Sequence, residues 1–124
     1  MSPARMSRVE EAVRVAAEFA GAFNRHDVQG IVGLCDDGCI FEDYHEGPGG
    51  GRFLGKAAVS AFLAKVFAEE EGLSLVTEEL VGNGPRCFLR WRLEREGGVP
   101  LRGIDVFEVR MGKIRERLSY ARLP

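Results

Sequence analysis

From Leu73 onward the chain is built of four strand-length runs, Leu73–Val81, Arg86–Glu96, Leu101–Met111 and Lys113–Ala121. The breaks between them are Gly82-Asn83-Gly84-Pro85, Gly97-Gly98-Val99-Pro100 and Met111-Gly112-Lys113. Breaks this short and glycine-rich allow only hairpins, so the second half is an antiparallel meander. A meander needs cover for one face, and the first half supplies it. Between Met6 and Phe23 the apolar residues Met6, Val9, Val13, Ala16, Ala20 and Phe23 recur at helical spacing, with Phe19 in a neighbouring stripe beside Ala12 and Ala16. Asn24-Arg25-His26 ends this helix, and Asp27 caps a short second one that runs through Cys35. Asp36-Asp37-Gly38 reads as a turn, Cys39 to Tyr44 as a strand, and the glycine-rich stretch His45 to Gly55 as a loop. A third helix follows, with Val59, Phe62, Leu63, Val66 and Phe67 on one face. The expectation is one α+β domain over residues 1–124, three helices packed on a strongly curved, mostly antiparallel sheet.

At 124 residues the chain has room for one core. A formal net charge of −2 gives no electrostatic reason to expect nucleic acid. Arg86, Arg90, Arg92 and Arg95 cluster, as do Arg110, Lys113, Arg115 and Arg117, but Glu94, Glu96, Glu108 and Glu116 are interleaved, which describes a salt-bridged, solvated face. Charges interrupt every apolar run, so no membrane span is expected. The polar start, Met1 to Glu11, lacks the apolar stretch of a secretion signal. Cys35, Cys39 and Cys87 have no zinc-ligand spacing and sit in apolar patterns, as buried reduced thiols of a cytoplasmic protein would.

Two carboxylates break the strand pattern. In the run from Leu101, the face shared by Gly103, Phe107 and Val109 also carries Asp105. In the first strand Asp43 shares its face with Cys39 and Phe41. A carboxylate among apolar groups is costly unless it is paired, hydrogen-bonded or protonated, and sites that move protons exploit that cost. The structural alternatives are a core arginine partner for Asp105 and backbone N–H partners for Asp43.

Four stretches carry a resemblance: Phe19-Ala20-Gly21-Ala22-Phe23-Asn24-Arg25-His26-Asp27, Ile40-Phe41-Glu42-Asp43, Gly55-Lys56-Ala57-Ala58-Val59-Ser60-Ala61-Phe62, and Gly103-Ile104-Asp105-Val106-Phe107 followed by Gly112-Lys113-Ile114. Together they resemble the ketosteroid isomerase and SnoaL-like polyketide cyclase branch of the nuclear transport factor 2-like superfamily. The resemblance implies a cone-shaped fold enclosing a pocket, with Asp43 as proton-abstracting base and Asp105 as a protonated donor to the oxyanion. It implies no cofactor. The tyrosine that completes that oxyanion hole falls on Phe19, which cannot donate. Counting back from Asp105 puts Phe88, Arg90, Arg92 and Glu94 on the pocket side, and Arg117 and Ser119 also face inward. Amphipathicity alone buries Cys87, Leu89, Trp91 and Leu93 instead. Either the apolar face is an outer homodimer interface over an arginine-lined pocket, or a slip or bulge brings Trp91 inward.

The expected ligand is a small, largely apolar carbonyl compound, met by Phe19, Phe23, Tyr44, His45, Phe62, Phe88, Arg90, Arg92 and Arg117. Acid–base isomerisation or cyclisation is the first expectation. A non-catalytic binding or interaction domain is the second, which Phe19 favours. A third likeness is to epoxide hydrolases that activate water with an aspartate–arginine–aspartate set, here Asp105 with Arg90 or Arg92; the second aspartate falls on Ser119. Gly50-Gly51-Arg52-Phe53-Leu54-Gly55-Lys56 imitates a phosphate loop, but Ala57 replaces the required hydroxyl residue. Asp43 and His45 are too few ligands for a metal site.

Overall fold

The computed structural model describes residues 3–44 and 51–122, with side chains from residue 9 onward. Helix α1 spans Pro3–Asn24 and α2 spans Val28–Gly33; β1 is Cys35–Glu42, β2 Arg52–Leu54, α3 Gly55–Glu69, and the meander runs β3 Ser74–Asn83, β4 Arg86–Glu94, β5 Leu101–Arg110 and β6 Lys113–Arg122. The six strands lie in one curved, unclosed sheet in the order β2-β1-β6-β5-β4-β3. All neighbours are antiparallel except β1 and β6, which run parallel and so bring the first strand beside the last.

Several strand ends move by one or two residues from the sequence reading, the first strand closing at Glu42 and not at Tyr44, and two differences go further. Cys35 opens β1 instead of closing α2, because the Asp36-Asp37-Gly38 signal is a bulge inside the strand and not a turn before it. Gly38 N–H donates to Asp36 Oδ1 at 3.1 Å, and the pairing with β6 shifts register between Cys35 and Ile40. The loop read from His45 to Gly55 contains β2, whose Phe53 lies opposite Phe41.

The Asn24-Arg25-His26-Asp27 segment joins helix to sheet. Asn24 Nδ2 donates to the Leu75 carbonyl and Asn24 Oδ1 accepts from Leu75 N–H, so one amide serves as a strand partner for β3. Beyond a simple helix-end charge, His26 adopts a left-handed backbone, contacts the Leu73 carbonyl through Nε2 at 2.7 Å and stacks on Phe67 at 4.4 Å. Asp27 caps α2 by accepting from Gly30 N–H, as its position before the helix predicts.

The buried stripe of α1 runs through Ala12, Val15, Ala16, Phe19, Ala20 and Phe23, rotated slightly from the predicted face, so that Val9 and Val13 are only half-buried. Those two valines pack over Gly82, where a Cβ would lie 2.9 Å from each. Glycine is therefore what lets α1 approach β3. The helix α3 buries Val59, Leu63 and Phe67.

All three cysteines are free and buried. Burial pushes the Cys35 thiol up to about 12, with Cys39 beside it adding to the effect, and pushes Cys87 up to about 11. Unfolded thiols ionise near 9. Below that pH both states keep their protons and stability is at its full value; above it the unfolded chain loses protons first. Stability should thus fall from about pH 9 toward 11–12, by about 1.4 kcal/mol per pH unit for each thiol. Urea midpoints measured from pH 8 to 11 check this, and Cys87→Ala should flatten the decline.

Candidate functional site

The meander decides which side chains meet. On β4 the odd residues Cys87, Leu89, Trp91 and Leu93 are buried. The β4–β5 pairing contains no register shift, so Leu89 lies opposite Asp105 and Trp91 opposite Gly103, and opposite residues share a face. Phe88, Arg90 and Arg92 therefore lie on the outer face, against their assignment to the pocket, and the apolar face of β4 is turned inward and not toward a second copy. Outside, Arg90 pairs with Glu78 and Glu79, and Arg92 with Glu78 and Glu94, the salt-bridged surface that the interleaved charges predict. Neither arginine reaches Asp105.

Asp105 is fully buried, and its partner is Arg117. Arg117 Nε donates to Oδ2 at 2.7 Å and Trp91 Nε1 donates to Oδ1 at 2.9 Å. Both carboxylate oxygens are acceptors in this arrangement. That opposes the role of protonated donor that the resemblance implies for Asp105. Gly103 makes the Trp91 contact possible: any Cβ there would fall 2.4 Å from the indole ring.

Arg117 is itself almost fully buried, with 6% of its side chain exposed. Its guanidinium carbon sits 5.1 Å from the Phe19 ring centroid and 5.3 Å from that of Phe41. A buried cation is tolerable only with such compensation: one carboxylate and two aromatic faces. Phe19 is thus a core ring that shelters the cation. Ser119 lies opposite Asp105 on β6 and is also buried. Its Oγ is the one buried side-chain polar atom without a hydrogen-bond partner among the described residues.

Arg117 also lines a small cavity of about 30 Å³. Its other polar walls are Asp43, Tyr44 and Glu70, and its apolar walls include Phe23, Phe62, Trp91 and Leu93. Asp43 follows the end of β1, where its N–H donates to the Gly51 carbonyl at 2.8 Å. Burial pushes the Tyr44 hydroxyl up to about 12, the nearby Asp43 charge adding to it, so Tyr44 keeps its proton across the neutral range. Of the residues expected at the pocket, Phe23, Asp43, Tyr44, Phe62 and Arg117 meet here. Phe19 and Asp105 stand behind Arg117, and His45 lies outside the described residues. Trp91 is a further wall of the cavity, beyond the residues expected at the pocket. The amphipathicity of β4 points Trp91 inward, whereas counting back from Asp105 points it outward. Among the described residues no group of three or more His, Cys, Asp or Glu side chains could hold a metal, and no helix is long and apolar enough to cross a membrane.

The SnoaL-like domain family matches residues 15–117. The chain belongs to that family. Its fold is shared with solved nuclear transport factor 2-like proteins. One, of unknown function, from Mesorhizobium loti is 28% identical, with a TM-score of 0.81 and 93% of each chain covered. A candidate ketosteroid isomerase from Kribbella flavida is 18% identical at a TM-score of 0.79, covering 94% of this SnoaL-like chain and 81% of its own. TerC, co-crystallised with polyporic acid, is 23% identical at a TM-score of 0.76, with 88% and 89% covered. No curated protein matches the chain significantly.

Proposed function

We propose that this SnoaL-like protein is an acid–base enzyme for a small, largely apolar carbonyl compound, with Asp43 as base and Arg117 as the electrophile that receives the carbonyl oxygen. The observation that carries this reading is a buried guanidinium lining the same, mostly apolar cavity as an aspartate. Asp105 becomes a positioning residue. It takes Nε of Arg117, so the terminal N–H groups are those a ligand oxygen would meet. In the reaction Asp43 removes a proton from the carbon beside the carbonyl, the C–H electron pair forms the enolate, and the negative charge rests on the oxygen at Arg117. Return of the proton from Asp43 to a different carbon completes an isomerisation. A preorganised cation in a water-poor site stabilises that charge far better than water does.

The second reading is a non-catalytic small-molecule-binding domain. The small size of the cavity and Phe19 in place of the expected tyrosine support it. Proton exchange separates the two. In D₂O, 3-cyclohexen-1-one should lose its α-proton NMR signals faster with the protein than without, and Asp43→Asn should reduce that rate about 10²–10⁴-fold. Equal rates for both proteins would assign the cavity to binding alone.

A further inference from the structure

The inner cavity, at about 30 Å³, has room for one or two waters, whereas ligand sites occupy several hundred cubic ångströms. Beside it, between β2 and α3, lies an open groove of about 630 Å³ lined by Phe53, Ala58, Ala61, Phe62, Lys65 and Glu69, among others. The two hollows share Asp43, Phe62 and Val66 as walls. Of these, Phe62 is the ring that can turn, and it is stacked on Phe53 at a centroid distance of 4.2 Å and an interplanar angle of 21°. Neither ring is fully buried.

We infer that the Phe53–Phe62 stack partitions a single binding site, and that rotation of Phe62 joins the polar inner end to the apolar groove. This rests on the functional reading for what sits at the inner end, but not for the partition itself. The joined site has the polarity of a ligand pocket: charged groups, Arg117 and Asp43, at one end and a mostly apolar groove, with Lys65 and Glu69 among its walls, leading away. It fits an elongated molecule with its carbonyl or enol oxygen at Arg117 and an apolar body extending along α3. Small ketones would occupy the inner end together with the space that Phe62 vacates, and leave the groove empty. Phe62 therefore sets the length of ligand accepted.

Trp91 is the sole tryptophan, is 1% exposed and lines the inner cavity, so its fluorescence reports entry. Acrylamide should quench it poorly in the unmodified protein. Phe62→Ala should raise the quenching constant several-fold, and Phe62→Leu or Phe53→Ala should do so to a lesser degree. Val109→Ala, a buried change outside the cavity walls, controls for general loosening. No rise in the Phe62 variants, or an equal rise in Val109→Ala, overturns the partition.

A second arm follows the Trp91 indole N–H resonance during titration with phenol and with 4-hydroxybiphenyl. Binding at least tenfold tighter for the longer molecule supports a continuous site, and equal affinity excludes the groove from it. If neither phenol binds, the inner anion site fails and with it the functional reading, while the quenching series still decides the partition.

Discussion

Arg117→Met should destabilise the protein by about 3–5 kcal/mol, because it leaves the Asp105 carboxylate buried with the Trp91 N–H as its remaining side-chain donor among the described residues. Much of that loss should return in the double variant Arg117→Met/Asp105→Leu, which removes both charges and keeps the volume apolar. The comparison matters because a buried ion pair rarely outperforms hydrophobic packing of similar size. A double variant as stable as the starting protein would show that the pair is retained for what Arg117 does in the cavity. Urea unfolding, followed by Trp91 fluorescence and far-ultraviolet circular dichroism, measures all three. The same set belongs in the proton-exchange assay, where both Arg117→Met proteins should be inactive if the guanidinium receives the oxyanion.

Phe19→Ala should cost a similar amount, about 3–5 kcal/mol, by removing a fully buried ring. The ring touches Phe107 at 5.1 Å, Phe23 at 6.0 Å and Phe41 at 6.3 Å between centroids. It also covers the Arg117 guanidinium, so its loss should not simply add to that of Arg117→Met. The double-mutant cycle should return a coupling of about 0.5–2 kcal/mol, in the range for residues in contact and for a desolvated cation–π pair. Strict additivity would mean that Phe19 is a packing residue with no hold on the cation.

The burial of Asp105 was legible because its neighbours two residues away, Gly103 and Phe107, are small or apolar, and a strand places them on one side. Its partners were less legible, because they depend on pairing across strands. Trp91 meets Asp105 only if Leu93 stands opposite Leu101, and the loop from Arg95 to Pro100 does not announce that register. Arg117 is harder still. Simple alternation from Ile114 would turn Arg117 outward, but the β5–β6 register shifts between Glu108 and Val109, leaving Arg115 as the extra residue and restoring Arg117 to the buried side. The resemblance places Arg117 inward, which the residue pattern does not. The order of elements, by contrast, followed from hairpin breaks and helical periodicity, both of them local signals.

The amide of Asn24 has a consequence for life at high protein concentration. Strand β3 is a ten-residue outer edge, the kind of surface on which a foreign strand can grow. Asn24 occupies both backbone groups of Leu75, and the irregularity between Thr77 and Glu79 spoils the spacing a few residues on. An incoming strand must evict a side chain anchored by α1 and then cross a kink. The end of the first helix thereby guards the sheet against fibre-like growth, and the opposite edge, β2, is only three residues long.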